Sequence, residues 1–223
     1  MSQKALIVWG GYEPHQPREV AELFRGMLTA ERFEVRVADS LELFADVDAL
    51  KTLDLIVPCW TCGKLTPEQS RGVSEAVQSG VGLAGVHGGM GDAFRNDTTW
   101  QFMTGGQFVA HPGDDGTRYR VQPTSVKSPI TDGIGAFEVA SEQYYMHVDP
   151  ALTVLMTTRF PVAEGPHVGN GSCEMPVVWT KMWGRGRVFY HSLGHVASVL
   201  EKEPVKTITR RGCVWAAAGR KPE

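Results

Sequence analysis

The chain has 223 residues, 42% hydrophobic and 21% charged, with a formal net charge of −3. Such a composition belongs to a globular chain with a sizeable core and excludes a disordered one. No Lys/Arg stripe interrupts the near-balance of charge, so nucleic acid and anionic membrane surfaces are excluded as main partners.

The first residues, Met1-Ser2-Gln3-Lys4-Ala5-Leu6-Ile7-Val8, lead straight into a strand. They lack the apolar stretch and small-residue cleavage site of a signal peptide, and no apolar run has bilayer-spanning length. The expected location is cytoplasmic. Lys4–Gly11 reads as a buried parallel strand, continuous and apolar through Trp9 and ended by Gly10-Gly11. From Pro17 to about Glu31, Val20, Leu23, Phe24, Met27 and Leu28 share one helical face.

Phe33–Ala38 is the second expected strand and Asp54–Pro58 the third, with Pro58 taken as its end. The Cys59-x-x-Cys62 that follows has no second Cys-x-x-Cys to complete a structural zinc site, so reduced thiols near a strand end are expected. Thr66-Pro67-Glu68-Gln69 opens a helix that stops at Gly80. Val81–Val86 is a fourth strand, broken abruptly at His87-Gly88-Gly89. Strand, helix and strand at short spacing predict βαβ units and a mostly parallel sheet.

The second half is richer in strands: Gln107–Ala110, Tyr119–Gln122, Phe137–Ala140, Val154–Met156, Val177–Thr180 and Arg187–His191. A helix over Pro204–Ala218 closes the pattern. With no repeat, linker or low-complexity tract, 1–223 is expected to form a single domain.

Four segments carry chemistry. In open α/β sheets the ligand crevice lies beyond the carboxyl ends of strands. His87 stands at such an end on a glycine-flanked turn, like the residue of a nucleophile elbow, and the Gly88 and Gly89 amides are candidates for holding an anion or hydroxyl oxygen. Gly105-Gly106-Gln107-Phe108-Val109-Ala110-His111-Pro112 brings His111 to a loop. Ser141-Glu142-Gln143-Tyr144-Tyr145-Met146-His147 collects a carboxylate, two phenols and an imidazole. If this were one strand, Glu142 and Tyr144 would share one face and His147 the other, so Glu142 and His147 could meet only across a break. Finally, Arg187-Val188-Phe189-Tyr190-His191-Ser192-Leu193-Gly194-His195 ends a strand in a Ser/Gly/His turn.

Histidine suits proton transfer near neutral pH and is the commonest zinc ligand. Convergence of His87, His147 and His195 would make a divalent-metal site, such as zinc, with an open position.

These segments, with the closing Gly212-Cys213-Val214-Trp215-Ala216-Ala217-Ala218-Gly219, resemble the ThuA-like (trehalose utilisation) family over nearly the whole chain. The resemblance implies a class I glutamine amidotransferase-like, flavodoxin-like fold: a mostly parallel sheet between helices, extended here by antiparallel strands. It also implies carbohydrate metabolism, with trehalose, a related disaccharide or an oxidised sugar as the ligand class. True amidotransferases carry a cysteine at the elbow, where this chain has His87, and a His-x-Glu after a late strand, where Tyr190-His191-Ser192-Leu193 lacks the glutamate. Cysteine-dependent amide hydrolysis at the elbow is therefore not expected.

Three functions compete. The first is a sugar-handling enzyme, hydrolytic or acid/base, with His87, His195 and Glu142 catalytic. Trp9, Gly10, Gly11, Gly88, Gly89, His111, Tyr144 and His147 would contact the ligand, and Trp9, Tyr12, Trp60 or Tyr144 would stack on a sugar ring. The second is a non-catalytic sugar-binding or regulatory protein on the same scaffold. The third is a thiol-dependent enzyme using Cys59 or Cys62. A homodimer is the base-rate expectation for assembly.

Overall fold

The computed structural model describes residues 2–220. In chain order its elements are β1 (Lys4–Gly11), α1 (Pro17–Ala30), β2 (Glu34–Ala38), α2 (Val47–Leu50), β3 (Leu55–Thr61), α3 (Pro67–Gln78), β4 (Gly82–Val86), α4 (His87–Gly91) and α5 (Thr98–Thr104). Then follow β5 (Gly106–Ala110), β6 (Arg118–Pro123), β7 (Phe137–Ala140), β8 (Tyr145–Val148), β9 (Thr153–Phe160), β10 (Cys173–Trp183), β11 (Gly186–His191), α6 (Ala197–Leu200) and α7 (Val205–Ala217).

A nine-stranded sheet runs β2-β1-β3-β4-β11-β10-β9-β6-β7, and β5 pairs with β8 in a separate two-stranded sheet. The first five strands are parallel and the remaining four antiparallel. The parallel half has the flavodoxin-like order, whose chain direction switches between β1 and β3.

Burial on both faces explains the continuous apolar strands. Ala5, Ile7, Leu55, Val57 and Ala84 face the core beneath α1 and α7, with Phe24, Leu28, Ile208 and Ala216. Leu6, Val8, Ile56 and Leu83 face the opposite core beneath α3 and α5, with Val73, Val77, Trp100 and Met103.

β3 departs from expectation: it continues past Pro58 to Thr61, because its parallel register with β1 runs from Leu55 to Thr61. Its ladder to β4 ends at Ile56, so the proline sits where no bond on that side is demanded. Among the described residues no helix is long and apolar enough to cross a membrane.

Candidate functional site

β4 delivers His87 into the crevice. Its five residues are all buried, and His87 then turns the chain with a left-handed φ of 48° as the first residue of α4. That conformation is sterically costly for a residue with a side chain and persists only where its surroundings hold it. Here the Tyr190 hydroxyl donates to the His87 carbonyl at 2.9 Å. The His87 ring is 2% exposed. Its Nδ1 lies 2.8 Å from the Ser192 carbonyl oxygen, which can only accept, so Nδ1 carries the proton of that bond. Nε2 faces Glu142 Oε2 at 3.1 Å.

Glu142 comes from the other half of the molecule. Ser141–Tyr144 form a buried, irregular segment between β7 and β8. The Tyr119 hydroxyl holds it by donating to the Glu142 carbonyl at 3.0 Å, and the Gln143 side-chain amide donates to Thr158 Oγ1 and to the Arg159 carbonyl. The strand begins only at Tyr145, so the break falls after Tyr144, and Glu142 and Tyr144 precede it and are free to point inward.

Three more imidazoles surround the carboxylate. His15 ends a single 3₁₀ turn, Glu13–His15, just beyond β1. Its Nδ1 is 2.9 Å from Thr61 Oγ1 and its Nε2 is 4.0 Å from Glu142 Oε2. His195 lies past the end of β11, with Nδ1 at 3.2 Å from Glu142 Oε1 and Nε2 at 3.8 Å from Asp115. His111 is the outermost, 42% exposed, with Nε2 3.6 Å from Glu142 Oε1. Tyr144 stacks on the His87 ring at 4.0 Å, and the exposed Tyr12 meets His15 edge-on at 5.1 Å.

The electrostatics are asymmetric. Burial pushes the Glu142 carboxyl up, but its pairing with His195 and His87 outweighs that and holds it well below the usual carboxylate range. Pairing with Glu142 raises His195 against the opposing effect of burial. Burial lowers His87, and burial together with neighbouring His87 lowers His15 to about 3. At neutral pH the site thus holds an anionic Glu142 paired with His195, beside two uncharged imidazoles.

Of the expected residues, the fold brings together His87, Glu142, His195, His111 and Tyr144. His147 stands apart: it lies exposed on β8, paired with Gln107 of β5, because the strand that begins after Tyr144 alternates it outward. The cluster contains His15 instead, which sequence reasoning passed over. The strand-end logic applied to His87 would have found it, since His15 follows the Gly10-Gly11 end of β1.

The glycines serve packing. A side chain at Gly88 would meet the His15 ring at 2.6 Å and Thr61 Oγ1 at 2.8 Å, and one at Gly89 would meet the Cys59 backbone at 3.2 Å. Gly10 lies against the Trp60 ring, Gly11 against the Thr61 carbonyl, and Trp9 packs on the α1-side core.

His191, the last residue of β11, points away from the site to Thr209 of α7 at 2.8 Å. All four cysteines are free. Burial pushes the Cys59 and Cys62 thiols up, so neither has the thiolate character of a nucleophile.

His15, His87, Glu142 and His195 each offer a ligand atom, all within 4.8 Å of one another. A cavity of about 20 Å³, room for about one water, adjoins them between His15, His87, Cys59, Thr61 and Gly194. A larger groove, about 730 Å³ between Lys64, Arg71, Asn96 and Thr98, includes none of these histidines.

The trehalose-utilisation (ThuA) family model matches residues 4–216. No curated protein matches the chain. Among solved structures, a ThuA-like protein from Parabacteroides merdae is similar at 19% identity and TM-score 0.75, over 100% of this chain and 92% of that one. One from Bacteroides uniformis is similar at 18% identity and TM-score 0.75, over 96% and 91%. A β-galactosidase from Bacillus circulans sp. alkalophilus shares the fold at 12% identity and TM-score 0.61, over 97% of this chain but 30% of its own.

Proposed function

The chain belongs to the ThuA, or trehalose-utilisation, family, and on that premise we propose that it is an enzyme of carbohydrate metabolism working in the histidine-lined cleft over Glu142. Its ligand is a small sugar, a disaccharide or an oxidised derivative of one. The reaction is proton transfer next to a sugar carbonyl, or hydrolysis of such a sugar.

The observation that carries this reading is one buried carboxylate met by imidazoles from four separate parts of the chain. Around it His195 is raised while His15 and His87 are lowered. Neighbouring groups whose protonation tendencies are pushed apart are what acid/base chemistry at neutral pH needs. Tyr12, exposed beside His15, offers a face on which a sugar ring can stack. The elbow position holds an imidazole rather than a thiol, so the amide chemistry of cysteine-bearing relatives is not proposed. The four free thiols fit a reducing, cytoplasmic setting.

The test is to incubate the protein with trehalose, other disaccharides and their keto derivatives, following binding and product by NMR. Saturable binding with turnover is expected, and Glu142→Gln should lower turnover about 100-fold. Binding without turnover would make the protein a sugar-binding module. Absence of binding to every sugar in the panel would overturn the carbohydrate reading altogether.

A further inference from the structure

The geometry points to a metal centre: His15, His87, Glu142 and His195 together hold one divalent cation of the zinc class, and His147 takes no part. This deepens the proposed function by assigning the cleft a resident cation. It rests on that reading only for the cleft's use, since the ligand set stands on its own contacts.

The first argument is the spacing of the donors. Around Glu142 the gaps are 3.1 Å to His87 Nε2, 3.2 Å to His195 Nδ1 and 4.0 Å to His15 Nε2. Zinc bound tetrahedrally at about 2.0–2.1 Å needs donors about 3.4 Å apart. All four donor atoms lie within 4.8 Å of one another, so side-chain adjustments of about 1 Å would bring them to the corners of such a site.

The second argument is hydrogen-bond directionality. His87 Nδ1 donates to the Ser192 carbonyl, so in an uncharged ring Nε2 presents a lone pair. That lone pair faces a carboxylate oxygen at 3.1 Å, and a cation between them satisfies both. His195 Nδ1 is buried 3.2 Å from Glu142 Oε1, an ion-pair contact whose angle is poor for a hydrogen bond. Two polar atoms that close but poorly aligned with each other can both be satisfied by a third partner between them. Protons could reconcile these pairs one ring at a time; a single cation reconciles His87, His195 and His15 with the same carboxylate at once.

The third argument is the outer contacts. Each of the three rings turns its other nitrogen outward to an oxygen: His15 to Thr61 at 2.9 Å, His87 to Ser192 at 2.8 Å and His195 to Asp115 at 3.8 Å. Metal-bound histidines are oriented in this way by their second nitrogen. Gly88 is part of the same construction, because any side chain there would displace the His15 ring.

Three imidazoles and one carboxylate suit zinc and the neighbouring transition ions, not calcium or magnesium, which prefer all-oxygen shells. Such an ion supplies Lewis-acid polarisation of a sugar carbonyl or an acidified water. With those three rings engaged as ligands, His111 is the imidazole left free beside Glu142 for proton transfer.

The experiment strips the full chain with a chelator, then titrates it with Zn²⁺ and with Co²⁺ as a visible probe, checking stoichiometry by elemental analysis. One ion per chain is expected, with Co²⁺ ligand-field bands that Zn²⁺ removes. Glu142→Gln and His15→Ala should each weaken binding at least 100-fold, and His147→Ala should leave it unchanged, with near-UV circular dichroism confirming each fold. His15 ends a surface-side turn, so its replacement tests the site without emptying the core. Substoichiometric uptake by the wild type, or unchanged affinity in His15→Ala, overturns the centre. Sugar turnover undiminished in stripped protein overturns it too while sparing the carbohydrate reading. Stoichiometric binding with no sugar recognised supports the centre and sinks that reading instead.

Discussion

Gly88 shows how a single residue governs the site. Its missing side chain is the space that the His15 ring and Thr61 occupy. Gly88→Ala would put a carbon 2.6 Å from that ring, so His15 must move. We expect a modest stability cost of about 1–3 kcal/mol, as for overpacking elsewhere, together with loss of Co²⁺ ligand-field bands. A denaturant melt and a Co²⁺ titration on the same sample measure both. The sequence shows that glycines cluster after β4, which predicts a turn exposing its amides. The use of Gly88 as a seat for a ring arriving from beyond β1 depends on a contact across 73 positions, 88 − 15, which no local pattern encodes.

At the scale of elements, local signals were read well where local chemistry decides the outcome. Thr66 and Gln69 form a reciprocal cap on α3: Thr66 N–H donates to Gln69 Oε1 at 2.8 Å and Gln69 N–H to Thr66 Oγ1 at 3.3 Å. Thr66→Ala should cost about 1 kcal/mol, visible as a lower denaturation midpoint with an unchanged slope. α1 and α7 likewise follow their apolar spacing to within a residue or two of expectation. The failures come where a neighbour overrides the local signal. Pro58 reads as a strand end, yet the register with β1 carries β3 on to Thr61. The break that Glu142 needs to leave the face of a strand is likewise made by neighbours: Tyr119, Thr158 and Arg159 hold Ser141–Tyr144 irregular and buried.

Across the whole molecule, the parallel half supplies three imidazoles from the carboxyl ends of β1, β4 and β11, and the antiparallel half supplies the carboxylate. The same sheet buries His191 on its other face, where burial, aided by His87, lowers its pKa from 6.5 to about 3. Between those values the unfolded chain takes up a proton that the folded chain refuses, so stability falls as pH drops, by about 1.4 kcal/mol per unit for this group. Urea melts at pH 6.5 and pH 4.5 should show a loss that is smaller by about 2 kcal/mol in His191→Gln than in the parent. An equal loss in both proteins would mean that His191 stays exposed to protons in the fold.

By itself the sequence determined the βαβ half of the sheet, the elbow at His87 and the candidacy of Glu142, His195 and His111, because apolar runs, glycine breaks and strand-end polar residues are local properties of a chain. The tertiary structure alone decided that His15 joins them, that His147 faces out and that His191 belongs to the core. Proximity among strand ends is set by sheet order and register, and residues distant in the chain meet only once those are formed.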